Sequence, residues 1–264
     1  MSYEDITLEK QKSGVALLTL NRPQQLNAVR WHSWDEIEDA LDRLAEDDQV
    51  SVLLLTGNGR GFCAGADLTS PEPQSSPMAV SRGKRLSVRY GGAAKLLAWP
   101  KPTIAAVNGI AAGAGLSLCL ACDIRIAGAA ARFSAIWSRR ALVADFGATY
   151  FLPRIVGMAK ALELMYTGDI IDAQEALRID LVSQVVEADE LMPQALALAE
   201  RLGRGAVLAL ELIKRLAYRE WRPDLDDQVA LEEFYQRTYC LESEDAQEGK
   251  QAFLEKREPQ FKGY

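Results

Sequence analysis

Two glycine- and alanine-rich turns and one aspartate are the residues of this chain whose types and spacing suit chemistry. GRGFCAGADL (59–68) and NGIAAGAGLSL (108–118) each follow an apolar, strand-like run. In the first, Gly65 permits dihedrals closed to other residues, and Ala66 lets a ligand approach the main chain closely. In the second, a strand runs into a helix start, where free N–H groups and the positive dipole end favour a negative oxygen. Two such turns, separated by one crossover, are what an oxyanion hole made of main-chain N–H groups requires. Each stretch is equally what a tight turn or a close helix–sheet contact looks like. Asp145 lies in an apolar stretch, LVADFGATYFLP (142–153), just before a glycine. On residue type alone a turn or helix N-cap aspartate is the expectation, with proton transfer the alternative.

Other chemistries fit poorly. Gly113 and Gly115 make a GxG, but Leu118 stands where a dinucleotide fingerprint needs its third glycine. GNGRG (57–61) fails the same test, and no Walker A lysine is present. Cys119 and Cys122 form a CxxC that closes an apolar run rather than opening a helix, and no second pair completes a zinc site. Core packing is the expectation for them, and no metal site is expected. His32 is the one histidine, near the start of an N-terminal helix. A surface or capping role is expected there, which weighs against a Ser/His/Asp triad.

The elements that must position these turns alternate between strand and helix. GVALLTL (14–20), SVLLLTG (51–57), TIAAVNG (103–109), CDIRIAG (122–128), RFSA (132–135) and LVSQVVE (181–187) read as strands. Ser33 with Glu36 reads as a capping box opening a helix with Ile37, Ala40, Leu41 and Leu44 on one face. AAGAGLSLCLA is helical in length, 155–166 and 189–202 read as helices, and Asp172 with Glu175 caps another. From Ala206 onward only helical pattern remains. The expectation is an α/β core over 1–203 and a helical region over 204–264. SPEPQSSP (70–77) reads as a flexible loop beside the first turn.

The 264 residues are enough to bury a core without disulfides, and the four cysteines are too few for a scaffold of them. A net charge of −7 gives no electrostatic reason to bind nucleic acid or anionic lipid. The polar N-terminus and the lack of a long apolar run make a cytoplasmic, non-membrane protein the expectation.

FCAGADL, the opening NRPQQLNA (21–28) and NGIAAGAGLSLCLACDIRIA together resemble the crotonase superfamily, also called enoyl-CoA hydratase/isomerase. The resemblance runs from end to end and includes TGDIIDAQEALRIDLVSQVV and the tail EGKQAFLEKREPQFKGY. It implies a spiral of ββα repeats with a C-terminal helical trimerisation region, assembled as a homotrimer or a dimer of trimers. It implies an acyl-CoA substrate, with coenzyme A as part of that substrate and no permanently bound cofactor. It assigns the oxyanion N–H groups to Ala66 and Ala114, beside Gly113. It places the adenosine and pantetheine near Leu26, Ala64, Ala66, Asp67 and Leu68. Arg22 and Lys262 are candidates for the CoA phosphates.

The departures bear on the reaction. At the two positions where hydratases of this family carry glutamates, this chain has Ser117 and Trp137. Asp145 matches the aspartate of isomerase-like members, including those of phenylacetate breakdown. A dehalogenase-like reading shares the Trp and Asp, but the histidine it also needs is absent from SVRYGGAAKLLAWPKPT. The expected activity is therefore migration of a double bond from the 3- to the 2-position of an enoyl-CoA. Asp145 would be the proton carrier, its pKa raised by burial beside Trp137, Phe146 and Leu142. Trp137 is expected as a pocket wall, with core packing as the alternative. An atypical hydratase, a hydrolase using Asp145, and a non-catalytic acyl-CoA-binding subunit are the alternatives. Arg139 and Arg140 replace an apolar run and are expected at an acidic acyl group or a subunit contact.

Overall fold

Strand β3 (Val52–Gly57) is buried at all six positions because it is covered on both faces. Val52 and Leu54 pack with Val15, Ile104, Ala106 and Ile126 against Leu191, Ala195 and Ala199 of one helix. Leu53 and Leu55 face the other way, into a larger core with Leu18, Leu20, Ala105, Val107 and Ala127. Strand side chains alternate between faces, so a doubly covered strand reads as a continuous apolar run.

The protein is described here from a computed structural model, over residues 3–67, 69–70, 95–96, 98–140, 142, 144–218, 243–255, 257 and 260–262. The main sheet joins β1 (Ile6–Lys10), β2 (Val15–Leu20), β3, β5 (Thr103–Val107), β7 (Ile124–Gly128) and β10 (Gln184–Val186), in that order. β1 is antiparallel to β2, and the remaining pairs are parallel. A smaller sheet orders β4 (Gly61–Cys63), β6 (Ile110–Ala112), β8 (Arg132–Ser134) and β9 (Ile170–Asp172), with only the last pair antiparallel. Thus β3/β4, β5/β6 and β7/β8 each send one strand to each sheet. The chain advances by winding, which is the α/β spiral that the resemblance implied.

Helix α1 (Trp31–Ala45) buries Ile37, Ala40, Leu41 and Leu44 as its pattern required. α2 (Ala114–Ala121) is buried at every position, and α6 (Leu191–Gly203) covers the outer face of the main sheet. Between them lie α3 (Ala148–Val156), α4 (Met158–Thr167) and α5 (Ala173–Arg178). α7 (Val207–Ala217) and α8 (Glu244–Glu255) follow. Lys214 of α7 is buried and reaches Asp123 Oδ2 and the Lys101 carbonyl, each at 3.0 Å, which ties that helix to the start of β7.

Several expectations need correction. α1 starts at Trp31, and Ser33 is its third residue, whose hydroxyl accepts from the Arg30 N–H at 3.0 Å. Glu36 instead accepts from the Glu4 and Asp5 N–H groups at 2.6 and 2.8 Å, so the Ser33–Glu36 capping box does not form. Long-range partners outcompeted the local one. The helical stretch expected over AAGAGLSLCLA begins as strand β6, because its small residues pair with β4 and β8. The helix expected over 155–166 is two helices broken at Gly157, whose φ of 79° no helix accommodates. The strand expected over 181–187 is only Gln184–Val186. Asp172 caps α5 as expected, accepting from the Glu175 N–H at 2.8 Å. Beyond Ser70, the proline-rich loop lies outside the described residues.

Candidate active site

The site is built from NRPQQLNA upward. After a 3-10 turn at Pro23–Gln25, Leu26 and Asn27 both take the left-handed conformation, at φ 49° and 57°. Asparagine tolerates that region, and its amide makes the turn cooperative. Asn27 Oδ1 accepts from the Arg22 N–H at 2.9 Å, and Nδ2 donates to the Asn58 and Gly61 carbonyls at 2.9 and 2.7 Å. This lays residues 28–30 beside the FCAGADL turn. The Ala64 N–H donates to the Leu26 carbonyl at 3.0 Å. The Val29 N–H donates to the Gly65 carbonyl, and the Asp67 N–H to the Val29 carbonyl, both at 2.8 Å.

That pair of bonds is a parallel bridge between Val29 and Ala66. In a parallel ladder, the residue whose neighbours are bonded turns its own N–H and C=O to the opposite side. Ala66 therefore aims its N–H away from Val29. Gly65 has φ 109°, and a Cβ there would lie 3.0 Å from the Ala112 carbonyl oxygen and 3.8 Å from the Ala114 nitrogen. The two turns touch.

Ala114 opens α2, and the first helical bond runs from the Ser117 N–H to the Gly113 carbonyl at 3.0 Å. The N–H groups of the first turn, Ala114 included, have no partner within the helix. A Cβ on Gly115 would sit 2.1 Å from the Cys63 carbonyl oxygen, so only glycine lets the helix start lie against β4. Gly113 is buried, while Ala66 is exposed.

Asp145 is brought to the same helix turn by its main chain. The Ser117 hydroxyl donates to its carbonyl at 3.0 Å, and the Ala148 N–H donates to that oxygen at 3.0 Å. Phe146 and Gly147 follow with φ 48° and 84°, a reversal that turns the chain into α3. The Trp137 indole N–H donates to Asp145 Oδ1 at 3.0 Å. Trp137 itself is 4% exposed and sits in the core. The residues at the two expected glutamate positions thus both hold Asp145, one by its backbone and one by its carboxylate.

The expectation of a buried acid is corrected in part. Asp145 is open to solvent on one side, and Leu142 is 56% exposed. Phe146 stacks on Trp34, with ring centroids 4.5 Å apart, rather than covering the carboxyl. The apolar side still raises the Asp145 pKa by desolvation, against the lowering effect of the Trp137 hydrogen bond.

The other sequence candidates fall as follows. Leu26 and Ala64 are half-buried along the first turn, and Leu68 lies outside the described residues. Asp67 is held by Arg22 and Thr69, whose hydroxyl donates to its Oδ1 at 2.6 Å. Lys262 is exposed, its N–H donating to Asp245 Oδ1 at 2.6 Å and its Nζ lying 3.4 Å from Glu244 Oε2. Arg139 pairs with Asp169 and donates to the Thr167 carbonyl, while Arg140 is exposed. Cys119 and Cys122 are fully buried, and burial pushes both thiols up, Cys119 to about 12. Their core role stands. His32 is half exposed beside Glu36 and Glu4. Reading residues alone missed the anchoring roles of Asn27 and Ser117. Asn27, which closes the proline turn of NRPQQLNA, was a usable signal; Ser117 gave none, because its partner is a distant main-chain carbonyl.

The sequence model described as enoyl-CoA hydratase/isomerase matches residues 10–264. The chain belongs to the enoyl-CoA hydratase/isomerase family. Among its relatives is the 1,2-epoxyphenylacetyl-CoA isomerase of Escherichia coli K12, 39% identical over 98% of this chain and 99% of that one. Another is the crotonyl-CoA hydratase of Syntrophomonas wolfei, 38% identical over 99% of both chains. A putative enoyl-CoA hydratase from Streptomyces coelicolor A3(2) superposes with a TM-score of 0.90 at 35% identity, covering 100% of this chain and 96% of that one. As a member of the enoyl-CoA hydratase/isomerase family, the chain is an enzyme fold that handles acyl-CoA thioesters. Its relatives include one named isomerase and several named hydratases. Among the described residues, no helix is long and apolar enough to cross a membrane.

Proposed function

We propose that this chain is an enoyl-CoA isomerase that moves a double bond from the 3- to the 2-position of an acyl-CoA thioester. The Ala66 and Ala114 N–H groups donate to the thioester oxygen. Asp145 removes a proton from C2, and the electron pair passes onto the thioester oxygen to give a dienolate. The same acid then returns the proton to C4, where the C3–C4 pair forms the new C–H bond as the charge returns from oxygen to make the C2–C3 double bond. The double bond then lies between C2 and C3, conjugated with the thioester. One observation carries this reading: Asp145 is held at the first turn of α2 by Ser117 and Trp137, which occupy the expected glutamate positions. A raised pKa suits an acid that must both take and give a proton.

In this reading, coenzyme A enters only as part of the substrate, near Leu26, Ala64, Asp67 and Leu68. The helical region after residue 203 mediates a homotrimer or a dimer of trimers. The test is incubation with a 3-enoyl-CoA. Growth of the absorbance of a conjugated thioester supports isomerisation; a hydrated product alone overturns it. A second reading, activation of water by Asp145, draws on the solvent-open side of that residue and on the named hydratases among the relatives. Product analysis separates the two.

A further inference from the structure

Arg22 was a sequence candidate for a CoA phosphate, but its guanidinium is already engaged. The side chain is 16% exposed. Nη1 donates to the Ala28 carbonyl at 2.5 Å, and Nη2 to Asp67 Oδ2 at 2.8 Å. Nε lies 3.6 Å from Asp5 Oδ1. Asp5 is anchored in turn: Arg30 Nε and Nη2 donate to it at 2.7 and 2.8 Å, and the Ser33 hydroxyl at 2.5 Å. This roots Arg22 in the start of α1.

The placement matters because of what lies between those contacts. Ala28 precedes Val29, and Asp67 follows Ala66, and Val29 and Ala66 are the two residues of the parallel bridge. A single guanidinium therefore grips both strands of the bridge, one residue away from the pair on each side. The bridge sets the direction of the Ala66 N–H.

Resting on the oxyanion role proposed for Ala66, we infer that Arg22 is a positioning residue: acting through Asp67 and the Ala28 carbonyl, it fixes the aim of the Ala66 N–H and does not bind phosphate. The carboxylate it holds is firmly ionised. Hydrogen bonds from Thr69 and then from Arg22 pull the Asp67 pKa down to about 2, so the grip persists across the working pH range. Lysine reproduces the charge but not the forked geometry that reaches two acceptors at once.

The test compares Arg22→Gln, Arg22→Lys and Asp67→Asn with the wild type on 3-hexenoyl-CoA and on 3-hexenoyl-pantetheine, which lacks the nucleotide. A misaimed catalytic group costs up to about 100-fold. The expected result is a fall in kcat of about 10- to 100-fold for Arg22→Gln, with KM moving less than about threefold and partial recovery in Arg22→Lys. A second readout needs no turnover: the red shift of bound 4-(dimethylamino)cinnamoyl-CoA, which reports polarisation of its thioester carbonyl. That shift is expected to shrink in Arg22→Gln and in Asp67→Asn. An unchanged kcat and red shift, with the KM for the CoA ester rising to that of the pantetheine ester, makes Arg22 a phosphate ligand and overturns the inference. If Arg22→Gln does not fold by circular dichroism, Arg22→Lys and Asp67→Asn decide by the same shift. Wild-type protein that binds the chromophore but leaves 3-hexenoyl-CoA unchanged sinks the isomerase reading, while the spectral comparison still decides the role of Arg22.

Discussion

The indole N–H of Trp137 donates to Oδ1 of Asp145 at 3.0 Å, so a buried aromatic side chain holds one oxygen of a carboxylate that otherwise meets solvent. Burial on one side raises the pKa, and this hydrogen bond to the ionised form lowers it. Trp137→Phe removes only the lowering effect. The acid limb of kcat/KM for 3-enoyl-CoA isomerisation should therefore move to higher pH. The direction follows because the ionised carboxylate is the base, and activity is lost as pH falls through its pKa. A limb that stays in place or moves to lower pH removes Asp145 from control of the profile.

Asp145→Asn should lower isomerisation by about 10²–10⁴-fold, the range for loss of a general acid–base group. Deuterium exchange at C2 of a bound acyl-CoA should vanish with it. The variant should melt at or above the wild-type temperature at pH 7. A carboxyl whose folded pKa is raised gives its stabilisation below its unfolded pKa and loses it as pH rises through the folded one, so removing the charge relieves the fold. Calorimetry checks this, and a strongly lowered Tm would show that Asp145 is needed structurally.

Ala114→Pro removes a main-chain N–H and puts the ring Cδ in its place. Proline is accepted at the first position of a helix, where the amide has no helical partner. The fold should survive, while kcat falls by about 10²–10³-fold, as for other lost oxyanion donors. A folded variant with full turnover would exclude the Ala114 N–H from the mechanism.

The Lys214–Asp123 pair, 3.0 Å apart and with only 7% of the lysine side chain exposed, holds α7 on the core. Lys214→Ala leaves Asp123 without its cation and should cost about 3–5 kcal/mol in urea unfolding. Lys214→Ala with Asp123→Asn should recover part of that loss. A loss below about 1 kcal/mol would mean the pair is exchanged for water, as at exposed ion pairs.

The sequence by itself determined the elements whose faces are set by period. The run of apolar residues at 52–57 made β3 a strand covered on both sides, and Ile37, Ala40, Leu41 and Leu44 fixed the inner face of α1. The two glycine-rich turns were also legible, because only small residues let main chains touch, as Gly115 against the Cys63 carbonyl shows. Tertiary structure alone decided what depends on partners far apart in the chain. Glu36 gave up a local capping role for the N–H groups of Glu4 and Asp5, and AAGAGLSLCLA yielded its first residues to β6 once β4 and β8 lay beside them. Arg22, readable only as a positive charge, became a clamp between Ala28 and Asp67. The direction of a hydrogen bond belongs to the pair that makes it, and no single residue type carries that information.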